Sequence, residues 1–174
     1  MRIELDIIPL GDINGDIIDA LKHELKEKNF IVRIYAKTNP PKTAFNVYRK
    51  QYNANIILDT LRKLKGNIIA ITNFDIYTDK SNFVFSVSEY DGPSVISIYR
   101  LDSKFYQEKP NFDLLVNRLV KEVLYSIGKM VGLKNCKNVK CIMHKTNSVS
   151  DLDYKEMDFC KDCKINNALQ GIDL

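Results

Sequence analysis

The pattern of apolar and polar residues predicts two strands and a helix at the start of the chain. Apolar residues alternate with polar ones across residues 2–10, which predicts a β-strand, and residues 30–36 form a second predicted strand. Between them, residues 14–29 show helical periodicity. One stripe of this predicted helix is apolar: Ile17, Ile18, Leu21 and Leu25.

A second helix and a third strand follow a loop that contains two prolines. The loop covers residues 37–50, and the helix is predicted over residues 52–66, with Gly66 as its cap. Residues 67–73 then form the third predicted strand. The order strand, helix, strand, helix, strand favours a mostly parallel sheet with helices packed on it.

Shorter strands and the longest helix are predicted beyond residue 75. Residues 82–89 and 94–101 form two strands joined by a turn, and the wetter face of the first predicts a position at the edge of the sheet. The long helix is predicted from the segment of residues 111–133 and ends at Gly132. Its apolar stripe comprises Leu115, Leu119, Val123, Ile127, Met130 and Val131. A segment with little regular pattern then leads to a short closing helix at residues 160–170.

Composition sets the size and class of the protein. A chain of 174 residues with 45% hydrophobic content can bury one sizeable core. We therefore expect one α/β domain over residues 1–174, with an α/β core at 1–133 and a Cys-rich subregion at 134–174. The first apolar run contains Glu4 and Asp6, which is not typical of a secretory signal, and no other apolar stretch is as long as a membrane span. We expect a cytoplasmic monomer without membrane contacts.

The net charge of +4 does not by itself indicate a nucleic-acid partner. The 26 basic and 22 acidic residues are spread along the chain, whereas nucleic-acid binding requires basic residues clustered on one face.

The four cysteines predict a metal site near the end of the chain. Cys136 and Cys141 form a C-x4-C pair, and Cys160 and Cys163 form a C-x2-C pair. Two such pairs can bind one Zn²⁺ tetrahedrally. Four thiolates leave no open position on the ion, so the predicted zinc is structural. Disulfides are the alternative, which a reducing compartment disfavours.

Two stretches of the chain resemble the archaemetzincins, a family of zinc metallopeptidases related to the metzincins. Residues 73–101 are similar to the family's substrate-rim strand and its neighbour, and residues 132–143 with 159–163 are similar to its G-x3-C-x4-C-x-M…C-x2-C tail. The resemblance implies a compact metzincin-like fold with a mixed sheet, an edge strand and a long active-site helix. It also implies that the four cysteines bind a structural zinc and that Met143 forms the Met-turn beneath a catalytic metal.

The catalytic motif of that family, H-E-x-x-H-x-x-G-x-x-H, is degenerate here. Its first histidine position is Tyr125, its glutamate position is Ser126, and its second and third histidine positions are Lys129 and Asn135. None of these residues is a good zinc ligand, Ser126 cannot act as a general base near neutral pH, and the Lys129 ammonium repels a metal cation. We therefore expect no catalytic zinc. We expect Lys129 to fill the vacated site, either hydrogen-bonded to Tyr125 or paired with a carboxylate.

The two histidines of the chain cannot rebuild the catalytic site. His23 lies in a charged run on a predicted surface helix, and His144 follows Met143 in a predicted turn. A catalytic site with three histidine ligands needs more than these two scattered residues can supply.

The sequence thus predicts a non-proteolytic archaemetzincin-like protein with one structural zinc. The edge strand at residues 83–88 is a candidate site for a peptide or protein that adds as an extra strand. One alternative is an active zinc metallopeptidase with an atypical ligand set. A second is a zinc-stabilised nucleic-acid module, which ranks last because Tyr154 and Phe159 are the only aromatic residues near the zinc loop.

Overall fold

The computed structural model describes residues 2–168, which contain eight β-strands and five α-helices. In chain order they are β1 Glu4–Leu10, α1 Gly15–Glu27, β2 Ile31–Ile34, β3 Phe45–Asn46, β4 Gln51–Asn53, α2 Ala54–Leu61, β5 Ile68–Thr72, β6 Ile76–Tyr77, β7 Ser86–Ser88, β8 Ser94–Ser97, α3 Phe112–Met130, α4 Val149–Tyr154 and α5 Lys161–Ala168. Two short 3-10 helices cover Lys42–Ala44 and Ser103–Tyr106. Among residues 2–168, no helix combines the length and apolar character needed to cross a membrane.

The main sheet has five strands in the order β2-β1-β5-β8-β7. The first four are parallel, and β7 pairs with β8 in the antiparallel direction at the edge. This confirms the mixed sheet and the edge position. The strand predicted over residues 82–89 is shorter than expected, because β7 covers only Ser86–Ser88. Just before it, the Val84 amide bonds the Ile76 carbonyl of β6 at 3.0 Å and not a strand of the main sheet.

A second, three-stranded sheet in the order β3-β4-β6 was not predicted. Its strands are two or three residues long, too short to show an alternating pattern. Because Gln51–Asn53 pair in this sheet, α2 begins at Ala54, and the Asn53 side chain caps it by accepting from the Asn55 amide at 2.9 Å.

The prediction that Gly66 caps this helix is wrong, because α2 ends at Leu61. Gly66 instead has φ +112 and lies against the Asp6 carboxylate, where a β-carbon would clash. The glycine therefore allows the chain to pass close to β1 before entering β5.

Two apolar clusters cover the two faces of the main sheet. Alternate residues of β1 point to opposite sides, so Leu5 and Ile7 join the cluster that contains α1 and α3, while Ile8 and Leu10 join the cluster that contains α2. The cysteine segment contributes to the first cluster with Cys141, Ile142, Met143, Leu152, Phe159 and Cys163. The fold is thus a single α/β domain in which the end of the chain shares the core of α3.

The long helix α3 ends in a glycine turn that redirects the chain. Gly132 has φ +85, its amide donates to the Lys129 carbonyl at 3.0 Å, and the Leu133 amide donates to the Gly128 carbonyl at 2.8 Å. This places the helical end at Met130, two residues before the predicted Gly132. The turn carries Asn135 and Cys136 back toward the helix.

The cysteine segment is more regular than predicted. It contains α4, whose Ser148 and Asp151 form a reciprocal capping box at the start of the helix. The closing helix predicted at residues 160–170 corresponds to α5; residues 169 and 170 of that prediction lie outside the described part of the chain.

Candidate functional site

The four cysteines form a cluster with the dimensions of a tetrahedral zinc site. Their Sγ atoms all lie within 4.8 Å of one another. Both the Cys136–Cys160 and the Cys141–Cys163 sulfur distances are 3.7 Å. Zinc–sulfur bonds of about 2.3 Å separate the sulfurs of a tetrahedron by about 3.8 Å. The spacing therefore fits one zinc ion, and it is far longer than the roughly 2.05 Å of a disulfide bond.

The surroundings of these sulfurs also favour a bound cation. Backbone amides of Asn138 and Met143 donate to the sulfurs of Cys136 and Cys141, both at 3.4 Å, which stabilises thiolates. Burial raises the pKa of the Cys141 and Cys163 thiols, so the buried sulfurs need a compensating positive charge to ionise. A zinc ion would supply that charge.

No second cluster of three or more potential metal-ligating side chains from His, Cys, Asp and Glu occurs in residues 2–168. His23 is exposed on α1. His144 points its Nδ1 atom at the Cys136 carbonyl, 2.8 Å away, and lies outside the cysteine cluster.

The four degenerate motif positions are hydrogen-bonded to protein groups. The Tyr125 hydroxyl donates to Asn135 Oδ1 at 2.8 Å, which joins the first and third histidine positions. Ser126 is fully buried, with its Oγ 2.7 Å from Ser88 Oγ. Lys129 is 7% exposed, and its Nζ donates to the Tyr90 hydroxyl at 3.1 Å.

These contacts belong to a regular ladder between the edge strand and the helix. Ser86 bonds the carboxylate of Glu122 at 2.5 Å, Ser88 bonds Ser126, and Tyr90 bonds Lys129. Ser86, Ser88 and Tyr90, which are two residues apart, thus bond three successive turns of α3. Sequence interpretation missed Glu122, although its position four residues before Ser126 places it on the same helical face.

Lys129 is buried at the second histidine position of the motif, but with different partners from those expected. Its Nζ lies 4.6 Å from the centre of the Tyr90 ring and 5.5 Å from that of Tyr125, within the range of cation–π attraction. The expected hydrogen bond to Tyr125 and the expected carboxylate pair are both replaced by the bond to Tyr90. Burial, followed by the charges of Glu122 and Tyr90, raises the pKa of Tyr125 to about 12, so this phenol keeps its proton.

Met143 packs directly against α3, as a Met-turn would. It is fully buried, and a β-carbon at Gly128 would clash with its sulfur. Lys155 bonds the backbone on both sides of Met143. Its buried Nζ donates to the Ile142 carbonyl at 3.2 Å and to the His144 carbonyl. No local pattern in the sequence indicates this role for Lys155.

An open cleft of about 440 Å³ lies beside the ladder. It is lined by Glu122 and Tyr125 of α3, by residues 81–86 leading into β7, and by residues 145–147 after the Met-turn. Glu122 is 3% exposed, and burial raises the pKa of its carboxyl group. The cleft therefore has a buried acid in its wall and Ser86, the first residue of the edge strand, at its margin.

Comparison with known proteins agrees with the resemblance seen in the motifs. A family model described as peptidase family M54 matches residues 9–168. The archaemetzincin of Methanocaldococcus jannaschii is 37% identical over 164 residues, which cover 94% of this chain and 92% of that protein. The archaemetzincin of Saccharolobus solfataricus is 36% identical over 168 residues, which cover 93% and 91%.

Solved structures show the same fold. The crystal structure of an archaemetzincin from Archaeoglobus fulgidus, complexed with malonate, has a TM-score of 0.83 and 33% identity, and the match covers 95% of this chain and 99% of that one. A zinc-dependent peptidase from Methanocorpusculum labreanum has a TM-score of 0.84 at 24% identity, covering 94% and 99%, and supports the fold alone. With the family model, the relatives and the cysteine tail in agreement, the chain belongs to peptidase family M54, the archaemetzincins.

Proposed function

We propose that this chain is a non-proteolytic archaemetzincin whose single zinc is structural and whose cleft binds peptides. The observation that carries the proposal is that all four positions of the catalytic motif are occupied by residues that are hydrogen-bonded to protein groups. Tyr125 and Asn135 bond to each other, Ser126 bonds β7, and Lys129 bonds Tyr90 in the turn after β7. None of the four presents an imidazole or a carboxylate. Zinc-dependent hydrolysis needs an ion with an open position and a base beside it.

The proposed zinc belongs to the cysteine cluster. Cys136, Cys141, Cys160 and Cys163 would hold it with all four positions filled, so it would bind the last part of the chain to the core and activate no water. Residues 134–174 would then be a metal-stabilised subregion of the α/β domain.

The open edge of β7 supports peptide binding. Ser97 donates its amide to the Phe85 carbonyl at 2.8 Å, and Glu89 donates to the Pro93 carbonyl at 3.3 Å. In an antiparallel pair, residues that bond the neighbouring strand alternate with residues that face away. The amides and carbonyls of Ser86 and Ser88 therefore face the open edge, where an extended peptide can pair with them. Ser86 also lines the cleft.

Metal analysis of the purified protein tests the absence of a catalytic metal. We expect one zinc ion per chain, lost when Cys136→Ser and Cys160→Ser are combined, and no chelator-sensitive cleavage of casein. A matched variant restores the motif with Tyr125→His, Ser126→Glu, Lys129→His and Asn135→His. This variant should bind a second zinc ion. It is the positive control, because it shows that the metal analysis can detect a catalytic zinc when one is bound.

Two zinc ions in the unmodified protein, together with cleavage of casein that a chelator abolishes, would contradict the proposal. That result would favour the active peptidase with an atypical ligand set.

A further inference from the structure

Lys129 is buried and has no carboxylate partner among residues 2–168. Its side chain lies between α3 and the β7–β8 turn, and none of the ion pairs within residues 2–168 includes it. Its contacts are the Tyr90 hydroxyl and the rings of Tyr90 and Tyr125. Burying an ammonium is costly unless it is paired, and two aromatic rings offset only part of that cost.

The groups around Lys129 can donate to an anion. An ammonium has three N–H donors, and one hydrogen bond, to the Tyr90 hydroxyl, is seen at Lys129 Nζ. Because that hydroxyl accepts from Lys129, its own proton remains available to a further acceptor. Tyr90 is 56% exposed in the turn after β7, so solvent and ligands reach it directly.

An acidic residue on the same helix distinguishes the two ends of the site. Glu122 lies seven residues before Lys129, which places both side chains on one face of α3, about 10 Å apart along its axis. That distance corresponds to about three residues of an extended chain. Glu122 lies at the Ser86 end of the ladder and bonds Ser86, whereas Lys129 lies at the Tyr90 end and can attract a carboxylate there.

We propose that Lys129, with the Tyr90 hydroxyl, binds the C-terminal carboxylate of a peptide that lies along β7. The peptide would run from the Glu122 end of the cleft toward Lys129, parallel to β7. The inference rests on the proposed peptide binding and makes it more specific: the ligands are peptide ends rather than internal segments of a protein. Lys129, which stands at a histidine position of the family motif, would thus serve as a recognition group.

Calorimetric titration with two matched peptides tests this with the unmodified protein. The probes are the N-acetylated tetrapeptide Ala-Val-Thr-Val as the free acid and as the C-terminal amide. We expect the acid to bind on the order of tenfold more tightly, because only it offers a charged acceptor to Lys129. Acetate alone should compete weakly, since it lacks the backbone groups that pair with β7.

Variants then assign the preference to Lys129. Lys129→Met should bind acid and amide equally, while Lys134→Met, which removes an exposed lysine five residues later, should keep the preference. Tyr90→Phe retains the ring and should lose part of the preference. Zinc content and thermal unfolding of each variant show whether it is folded.

The outcomes separate this inference from the function on which it rests. Binding of both peptides with equal affinity by the unmodified protein would overturn the carboxylate site and leave peptide binding in place. Failure of both peptides to bind would overturn peptide binding, and the carboxylate site with it. Competition by acetate as strong as by the acid would show a site for small carboxylates and would also overturn the peptide inference.

Discussion

At the residue scale, the side chains at the four degenerate motif positions complement one another and their neighbours. Two ammonium groups approach the Tyr125 ring, Lys129 Nζ at 5.5 Å and Lys155 Nζ at 5.3 Å from its centre. Lysine side chains thus lie near the hydrogen-bonded pair Tyr125–Asn135, within the range of cation–π attraction to Tyr125. Ser126 has a partner on the edge strand and Lys129 has one in the turn that follows it, so these residues fit their surroundings.

Glu122 makes the stability of the protein depend on pH. Burial raises its pKa, and the Ser86 hydrogen bond and the charge of Lys155 only partly oppose this. A carboxyl group with a raised pKa holds its proton more tightly in the folded than in the unfolded chain. Its contribution to stability is therefore present at low pH and is lost as pH rises from its ordinary value of 4.5 through the folded pKa.

We predict that Glu122→Gln removes this loss. The free energy of unfolding of the unmodified protein, measured in urea at a series of pH values, should fall relative to the variant by at most about 1.4 kcal/mol per pH unit. Glu108→Gln, at an exposed position, is the control and should follow the unmodified protein. Parallel curves for the unmodified protein and Glu122→Gln would show that Glu122 is not responsible.

At the element scale, the long elements with a clear hydrophobic period were predicted from the sequence, whereas short elements and contacts between distant residues were missed. The stripe Ile17, Ile18, Leu21 and Leu25 is buried on α1 as predicted, since a long amphipathic helix carries its own signal. The sheet β3-β4-β6 and helix α4 were missed because they are too short to show a period. Glu122 was missed because its partner Ser86 is 36 residues away in sequence.

The packing of the Met-turn on α3 gives a prediction that opposes helix propensity. Alanine is favoured over glycine inside a helix by about 1 kcal/mol, so propensity alone predicts that Gly128→Ala stabilises α3. Its β-carbon, however, would overlap the sulfur of Met143 and lie 3.0 Å from the ring of Phe159. Overpacking of this kind costs about 1–3 kcal/mol.

We therefore predict that Gly128→Ala lowers the free energy of unfolding by about 1 kcal/mol, measured by urea denaturation. Gly15→Ala is the matched control, because Gly15 lies at the start of α1 with nothing within 4 Å of the added carbon. That variant should be as stable as the unmodified protein. A Gly128→Ala variant that gains stability would mean that the Met-turn does not pack on the helix in this way.

At the scale of the whole molecule, the cysteine segment is part of the central core. Met143 and Phe159 pack in the same apolar cluster as Leu119 and Ile127 of α3 and the strands β1 and β5. A structural zinc contributes on the order of 10 kcal/mol, comparable to the net stability of a whole domain. The effect of metal removal should therefore spread beyond the segment that binds the metal.

We predict that chelation of zinc destabilises α3 and the main sheet together with the cysteine segment. Hydrogen exchange followed by mass spectrometry should show faster exchange at residues 119–130 and 68–72 as well as at 134–163, and thermal unfolding should remain a single transition at a lower temperature. In the variant that combines Cys136→Ser and Cys160→Ser, the chelator should change nothing further. Faster exchange confined to residues 134–163 would instead mean that the α/β core is stable without the metal, because the contacts of Met143 and Phe159 with α3 would then contribute little to its folding.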